Sequence, residues 1–196
     1  MRRVFILAAS AALIAAGAAT AQKAFHRLFN GRDLAGWHTR EADRNGWKVE
    51  PGGILTNTPP SRDLISDEKF KDFEVHYEYK IPKGSNSGFY LRGRYEIQIL
   101  DSYGKPPEAH EDGAIYAQFA PSEIACKRPG EWNTVDAKLV GQHVTVIENG
   151  KKIIDAELTK GVTGSALDNK ESEPGPIYLQ GDHGVVSFRN LRIRPL

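Results

Sequence analysis

The fold of this 196-residue chain is decided by the run Ser85-Asn86-Ser87-Gly88-Phe89-Tyr90-Leu91-Arg92 and, after Gly93-Arg94, by Tyr95-Glu96-Ile97-Gln98-Ile99-Leu100-Asp101. Side chains alternate between the two faces of a β-strand, so the pattern predicts two short strands joined at Gly93 and Arg94. One face is apolar and carries Phe89, Leu91, Tyr95, Ile97 and Ile99. The opposite face carries Tyr90, Arg92, Glu96 and Gln98. We therefore expect a hairpin with one face in a core and the other suited to a polar ligand.

Short strand patterns recur along the rest of the chain, whereas helical periodicity is hard to find. Apolar and polar residues alternate from Phe73 to Ile81, which predicts a long half-buried strand. The dipeptide Asn149-Gly150 suits a type I′ hairpin turn. In the last strand the apolar phase slips at Arg189-Asn190, which predicts a β-bulge. Together these signals favour an all-β fold, an antiparallel sandwich or jelly roll of two sheets.

The N-terminus has the pattern of a secretory signal peptide. Arg2 and Arg3 precede an apolar stretch, and Ala19-Thr20-Ala21 forms a small-x-small cleavage signal. The stretch is rich in Ala and Gly, unlike a membrane anchor of roughly 20 strongly apolar residues. We expect residues 1–21 to be removed, which leaves residues 22–196 as one secreted or periplasmic bacterial domain without a membrane span.

Composition excludes several classes of function. The formal net charge of +1 gives no electrostatic case for binding nucleic acid or an anionic membrane. Cys126 is the only cysteine, so the chain has no intrachain disulfide. The absence of a G-x-S-x-G elbow, a phosphate-binding glycine loop and a C-x-x-C pair disfavours nucleophilic serine or cysteine chemistry. Nothing in the sequence indicates an oligomeric state.

No cofactor is expected from the sequence. His110-Glu111-Asp112 contains metal-ligand residue types, but consecutive loop residues seldom all point at one ion. No second histidine stands at a helical i, i+4 spacing, so we expect no zinc site. The sequence does not exclude an oxygen-ligated calcium ion, but no motif supports one.

Glu96, Gln98 and Asp101 have the spacing E-x-Q-x-x-D. It resembles the E-x-D-x-x-E of laminarinase- and lichenase-type β-glucanases, in which a bulge returns the third carboxylate to the cleft. Two carboxylates that flank a glycosidic bond can serve as general acid and as base or nucleophile. Alternatively, Glu96 is a solvated strand residue and Asp101 caps a turn.

Two further residues are catalytic candidates. Arg92 could donate to a developing oxyanion through its guanidinium, or could pair with Glu96 across the hairpin. His183, in a loop with two glycines, could transfer protons near neutral pH or could simply be exposed. The irregular segment from Lys160 to Pro176 is either a rim loop over the site or a long surface connection.

Polar and aromatic residues near these positions could bind a carbohydrate. Asn86 and Ser87 suit a sugar hydroxyl but also suit a turn, and Trp132 could stack on a pyranose ring or pack internally. The full set of binding candidates is Asn86, Ser87, Tyr90, Gln98, Gln180 and Trp132. A carbohydrate is therefore the expected partner.

The order of four segments resembles the 3-keto-disaccharide hydrolase domain family. They are Leu28 to Trp37, Asn86-Ser87-Gly88 with Arg92, Tyr95 to Asp101, and Gly175 to Gly184 running into Phe188-Arg189-Asn190. The resemblance spans nearly all of the chain after residue 21. It implies a concanavalin A-like jelly roll of two curved antiparallel sheets, with the ligand on the concave face and a 3-keto-glycoside as substrate.

The chemistry of such a substrate defines three roles. A ketone at C3 acidifies the C2 proton, so a base can remove it, a donor must stabilise the enolate oxygen, and an acid must protonate the departing C1 oxygen. Glu96 or Asp101, Arg92 and His183 match these roles by residue type. The alternatives are an ordinary β-glycoside hydrolase of laminarinase type and a non-catalytic carbohydrate-binding module.

Overall fold

The computed structural model describes residues 23–196, which form strands and connections but no α-helix. None of these residues belongs to a helix long and apolar enough to span a bilayer. The expected signal peptide, residues 1–21, lies outside the described residues. The strands in chain order are β1 (His26–Arg27), β2 (Trp37–Thr39), β3 (Trp47–Glu50), β4 (Ile54–Asn57), β5 (Leu64–Phe70), β6 (Phe73–Lys80), β7 (Asn86–Leu91), β8 (Tyr95–Leu100), β9 (Asn133–Val140), β10 (His143–Glu148), β11 (Lys151–Leu158), β12 (Gly175–Leu179) and β13 (Val186–Pro195).

The strands form two antiparallel sheets. The large sheet has eight strands in the order β11-β10-β9-β6-β13-β4-β3, with β1 also paired to β13. The small sheet has five strands in the order β2-β5-β12-β7-β8. The core lies between them, where Tyr77 of the large sheet stacks on Phe89 of the small sheet at 3.9 Å and both contact Phe188. The all-β sandwich predicted from the strand pattern is confirmed.

The predicted hairpin is the pair β7 and β8. Tyr90 lies opposite Glu96 and Phe89 opposite Ile97, so the apolar and polar faces are as expected. Arg92 departs from the prediction because β7 ends at Leu91. Its φ of 53° begins the turn, and its side chain therefore leaves the polar face of the strand.

Two other local predictions are confirmed. Asn149 and Gly150 both have positive φ, 48° and 82°, as a type I′ turn requires between β10 and β11. The pairing of β13 with β6 shifts register between Arg189 and Arg192, and Asn190 has a φ of 54°. This bulge lets Phe188 and Leu191 both enter the core.

Residues 113–116 add a short backbone strip along β8, which is the edge of the small sheet. Gln98 accepts a hydrogen bond from the Gly113 N–H at 2.9 Å and donates one to the Ala114 carbonyl at 3.0 Å. The Tyr116 N–H donates to the Glu96 carbonyl at 3.1 Å. The strip covers an edge that would otherwise be unpaired, and it brings Tyr116 beside Glu96.

The connection from Lys160 to β12 crosses the outer face of the small sheet. Leu167 packs there on Ile65, Tyr90 and Tyr178. Arg94, fully buried, donates to the Asp168 carboxylate at 2.6 Å and to the Glu173 carbonyl at 2.8 Å. Of the two alternatives left open by the sequence, the structure therefore shows a loop that covers this face.

Candidate active site

A cavity of about 90 Å³ lies on the outer face of the small sheet, beneath the connection that precedes β12. Its walls come from β7, β8, the strip along β8, the covering loop and the turn after β12. The lining residues are Asn86, Tyr90, Glu96, Gln98, Tyr116, Gly164, Ser165, Gln180 and His183. The cavity is smaller than typical ligand pockets of roughly 300–1,000 Å³, so it fits the reacting part of a ligand rather than a whole oligosaccharide.

Glu96 is the buried acid of this cavity, with only 4% of its surface exposed. Burial raises the pKa of its carboxyl to about 7, and a hydrogen bond with Tyr90 and the nearby His183 act in the opposite direction. Removal from water disfavours the charged form, which is why the pKa rises. A carboxyl that titrates near neutral pH is suited to taking and returning a proton.

Gly88 makes room for this carboxyl. It lies opposite Gln98 on the neighbouring strand, and a Cβ atom at this position would overlap the Glu96 Oε1 atom. The Gly88 carbonyl also accepts the Gln180 N–H at 2.9 Å, which ties the turn after β12 to β7. Only glycine allows this backbone to lie so close to the acid.

A stacked tyrosine pair forms the floor beside Glu96. The rings of Tyr90 and Tyr178 lie 4.1 Å apart at 13°. The Tyr90 hydroxyl donates to the Gly164 carbonyl at 2.9 Å, and the Tyr178 hydroxyl donates to Asp63 at 2.8 Å. Asp63 also accepts the Gly181 N–H at 3.0 Å, so the buried carboxylate holds both the ring pair and the turn after β12.

Three amide oxygens in the cavity wall lack partners. Asn86 Oδ1, Gln98 Oε1 and Gln180 Oε1 are buried and accept no hydrogen bond from the described residues. Buried polar atoms in folded proteins are almost always hydrogen-bonded. The three oxygens can therefore accept hydrogen bonds from the hydroxyl groups of a ligand.

His183 lies at the solvent-exposed side of the cavity. Its Nδ1 atom is hydrogen-bonded to the carboxylate of Asp182, and its side chain is about half exposed. A carboxylate on one ring nitrogen fixes the tautomer and leaves the other nitrogen available for proton transfer. His183 and Glu96 are thus the two predicted catalytic residues that the structure brings together.

Asp101 and Arg92 do not lie with them. Asp101 stands just after β8 has ended, and its Oδ2 accepts the Gly84 N–H at 2.9 Å, away from the cavity. No bulge in β8 returns this carboxylate to the face of Glu96. Arg92 is 1% exposed and binds the carbonyls of Gly141 and Glu171, so it anchors loops at the far end of β7. These placements correct the expectation that both side chains face the ligand.

Two binding candidates also lie elsewhere. Ser87 is fully buried, and its hydroxyl donates to the Gln180 carbonyl at 2.9 Å rather than to the cavity. Trp132 lies beside the large sheet, where the Arg189 guanidinium stands 4.1 Å from the centre of its ring and Lys80 lies at 5.0 Å. Asn86, Tyr90, Gln98 and Gln180 do line the cavity.

The side chains of His110, Glu111 and Asp112 diverge. His110 packs edge-on against Tyr116, Glu111 accepts hydrogen bonds from Ser102 and Lys105, and Asp112 is buried beside Tyr79. Across residues 23–196, no three His, Cys, Asp or Glu side chains are grouped as a metal ion would require.

Several residues of the site had no signal in the sequence. Tyr116 lines the cavity because its strip pairs with β8, and Asp63, the residue before β5, accepts the hydrogen bond of the Tyr178 hydroxyl. Gly164 and Ser165 belong to the covering loop. The sequence indicates an apolar strand from Gly113 to Tyr116, but local periodicity does not say which edge such a strand joins.

Comparison with solved structures places the fold. The chain is similar to a Bacillus licheniformis β-glucanase with a TM-score of 0.52 at 14% identity, covering 90% of this chain and 99% of that one. At that identity the likeness concerns the fold alone. It confirms the jelly roll expected from the sequence.

Two proteins of higher sequence identity come from a Bacteroides and a Parabacteroides species. A Bacteroides thetaiotaomicron protein named 3-keto-disaccharide hydrolase is 28% identical over an alignment 227 residues long, gaps included. The alignment covers 86% of this chain and 77% of that protein. A solved structure from Parabacteroides distasonis, provisionally assigned as a glycosyl hydrolase, is 31% identical with a TM-score of 0.75 and covers 88% of this chain and 84% of its own.

A comparison with protein families agrees with these relatives and with the four segments recognised in the sequence. Residues 24–194 match the family described as the 3-keto-alpha-glucoside-1,2-lyase-like domain. The match covers almost every residue that the structure describes. The chain therefore belongs to the family of 3-keto-alpha-glucoside-1,2-lyase-like domains.

Proposed function

We propose that this protein cleaves 3-keto-glycosides by elimination across C1 and C2, with Glu96 as the base that removes the C2 proton. The observation that carries the proposal is a buried carboxyl with a pKa of about 7 in a cavity that fits the reacting part of a ligand. The family match and the relative named 3-keto-disaccharide hydrolase support the substrate class.

The steps follow from the chemistry of the ketone. Glu96 takes the C2 proton, and the electron pair moves toward the C3 carbonyl to form an enolate. When the enolate collapses, a C1–C2 double bond forms and the C1–O bond breaks, so the leaving oxygen takes up a proton and departs as an alcohol. Addition of water across the new double bond then gives the products of net hydrolysis.

The other cavity residues have separate roles in this proposal. His183 protonates the departing oxygen, since its exposed imidazole can exchange protons with solvent. The oxygens of Asn86, Gln98 and Gln180 accept sugar hydroxyls. The enolate oxygen is stabilised by neutral donors, of which the Tyr116 hydroxyl is our first candidate, because Arg92 binds carbonyls elsewhere.

Matched pairs of oxidised and unoxidised disaccharides test this function. We expect release of the reducing sugar only from the 3-keto member, and exchange of its C2 proton with deuterated water. Glu96→Gln should lower both rates by at least about a hundredfold, the usual contribution of a general base. Equal cleavage of the unoxidised sugar, or cleavage by the Gln variant at the wild-type rate, would disprove the proposal.

The sequence leaves two other functions open, an ordinary β-glycoside hydrolase and a carbohydrate-binding module. An ordinary β-glycoside hydrolase needs a pair of carboxyl groups across the bond, and Asp101 binds Gly84 instead of facing Glu96. A binding module would offer exposed aromatic rings, whereas Tyr90 and Tyr178 are buried under the covering loop. The cavity geometry therefore favours the elimination.

We also propose that the protein is exported and that residues 1–21 are removed. The basic start, the apolar stretch and the Ala19-Thr20-Ala21 signal support this. The mass of the protein recovered from a bacterial periplasm or culture medium should correspond to a chain that begins at Gln22. Recovery of only the uncut chain in the cytoplasm would contradict it.

A further inference from the structure

A second recess lies on the large sheet, where β1 pairs with β13. Its volume is about 510 Å³, and we call it the arginine groove because Arg27, Arg32 and Arg192 line it. It shares no lining residue with the cavity around Glu96. The groove is within the size range of sites for organic ligands, roughly 300–1,000 Å³.

Two of these arginines are directly opposed. Arg27 of β1 is the register partner of Arg192 of β13. Residues so paired have Cβ atoms roughly 4.5–5.5 Å apart, and like charges in this position destabilise a sheet. The other register partner of Arg192 is His76, which is bonded to Asp136 at 2.8 Å. The fold therefore concentrates positive charge along this part of the sheet.

Arg32 interacts electrostatically with the neighbouring Asp33 and helps to lower the pKa of its carboxyl, but the two do not form an ion pair. Among residues 23–196, Arg27, Arg32 and Arg192 form no ion pair. Asp33, next to Arg32, accepts hydrogen bonds from the Asn30 amide at 2.6 Å and the Ala35 N–H at 3.0 Å. On the neighbouring β6, Glu74 is bonded to Arg194 and Glu78 to Arg189.

The floor of the groove is bare backbone. Gly31 and Gly53 have φ of 74° and 72°, and a Cβ atom on Gly53 would lie 3.3 Å from the Gly31 Cα. The two turns touch through their glycines, which leaves no side chain between a ligand and the main chain. A ligand in the groove can therefore approach the main chain closely at this point.

We propose that the arginine groove binds an acidic saccharide chain through its carboxylate or sulfate groups. Guanidinium groups bind such oxyanions through paired N–H donors, and an anion would offset the opposed charges of Arg27 and Arg192. Three guanidinium groups in one groove suit a ligand that carries several anionic groups. The choice of a saccharide to carry the anionic groups rests on the proposed function, whereas the expectation that the ligand is anionic rests on the arginines of the groove.

Binding of polyanions by the full chain tests the site. Dextran sulfate and polygalacturonate are the two probes, neutral dextran is the blank, and affinity electrophoresis at low salt is the readout. We expect at least one of the two acidic polymers to retard the protein, and neutral dextran to have no effect. The probe that binds more tightly identifies sulfate or carboxylate as the preferred group.

Variants with equal charge change locate the binding. Arg27→Gln and Arg192→Gln should each weaken binding about tenfold, as expected for loss of one charge-assisted contact. Lys83→Gln, an exposed lysine outside the groove, should leave binding unchanged. Because Arg192→Gln removes one of two opposed like charges, it should not lower the unfolding temperature in the absence of ligand.

Three outcomes would overturn the site: no retardation by either acidic polymer, an equal loss on Lys83→Gln, or binding of duplex DNA as tight as that of both glycans. Glu96→Gln should bind the polymers like the wild type. If the 3-keto sugar is not cleaved but the acidic polymers still bind, the proposed function alone is contradicted. If the sugar is cleaved but the polymers do not bind, the groove alone is contradicted.

Discussion

The Tyr90 hydroxyl has two acceptors within reach: it donates to the Gly164 carbonyl at 2.9 Å, and it lies close enough to the Glu96 carboxyl to lower the pKa of that acid. A phenol has one proton to donate. When Glu96 is ionised, that proton is drawn to the carboxylate and the bond to the covering loop weakens. When Glu96 is neutral, the proton can stay on Gly164. The ionisation of the acid is thus coupled to the attachment of the loop.

Tyr90→Phe tests this coupling. The change removes a donor that lowers the pKa of Glu96, so that pKa should rise further above its ordinary value. The acidic limb of kcat/KM against pH should move to higher pH, while the ring stack on Tyr178 is kept. Tyr178→Phe is the matched control, because its hydroxyl binds Asp63 and not Glu96. An unmoved limb in Tyr90→Phe would contradict the coupling.

Replacement of Glu96 should also change stability with pH. Its pKa is 4.5 ordinarily and about 7 in the folded protein. The folded state therefore binds the proton more tightly, and this contribution is complete below pH 4.5 and lost as pH rises through 7. Gln does not titrate and fits the same space, so Glu96→Gln should gain stability relative to the wild type as pH rises.

The expected gain between pH 5 and 8 is about 2.5 kcal/mol, since one pKa unit corresponds to roughly 1.4 kcal/mol. Urea unfolding of both proteins at pH 5 and pH 8 measures it. The exposed Glu131→Gln is the control and should show no such trend. A constant difference between Glu96→Gln and wild type at the two pH values would show that the carboxyl is not desolvated.

Gly88→Ala should inactivate the enzyme without unfolding it. The new methyl group would overlap Glu96 Oε1, which is the movable end of a side chain, so the carboxyl is displaced and the backbone stays. The 3-keto substrate assay should show a large loss of kcat with a small change in unfolding temperature. In a Glu96→Gln background the same change should cost little further activity, because the group it displaces is already absent. Additive losses would rule out this explanation.

A pair of acidic side chains, Asp112 and Glu148, lies inside the sandwich. Tyr79 donates to Asp112 at 2.9 Å and lies 2.7 Å from Glu148. Burial raises the pKa of both carboxyls, and the charge of Glu148 raises that of Asp112 further. The folded protein therefore binds protons at this pair more tightly than the unfolded chain does.

A carboxyl whose pKa is higher in the folded protein than in the unfolded chain stabilises the fold at low pH. This stabilisation is lost as the pH rises through the pKa of the folded state. Glu148→Gln removes one of the two titrating groups, so the fall in unfolding free energy as pH rises above the ordinary carboxyl range should be smaller than in the wild type. Exposed Glu157→Gln should retain the wild-type slope. Equal slopes in all three proteins would show that burial does not raise the pKa values of the pair.

The polar face of the hairpin could be predicted because it depends on local geometry alone. Glu96 and Gln98 are two residues apart on one strand, so alternation places them side by side. Alternation fails where a strand ends. Arg92 follows the last residue of β7 and Asp101 follows the last residue of β8, and neither backbone continues the pattern. One residue of error in the boundary of β7 was enough to misplace Arg92, whereas Asp101 became a candidate through the glucanase-like spacing, whose bulge β8 lacks.

The remaining part of the site depends on contacts between distant segments. Tyr116 lies beside Glu96 only because its strip pairs with β8, and Gly164 lies over Tyr90 only because Arg94 and Leu167 hold the covering loop. Periodicity reports which face of an element is apolar, not which other element it meets. The resemblance of four ordered segments to a known family supplied the fold that these local signals left open.

The strip at residues 113–116 is joined to β8 through main-chain groups of Glu96 and Gln98. Main-chain bonds do not depend on which side chain a residue carries. Sequence changes at Tyr116 can therefore alter what borders the acid while the acid stays fixed in its strand. Because the Tyr116 hydroxyl is the proposed donor to the enolate oxygen, that donor can change independently of the acid that takes the proton.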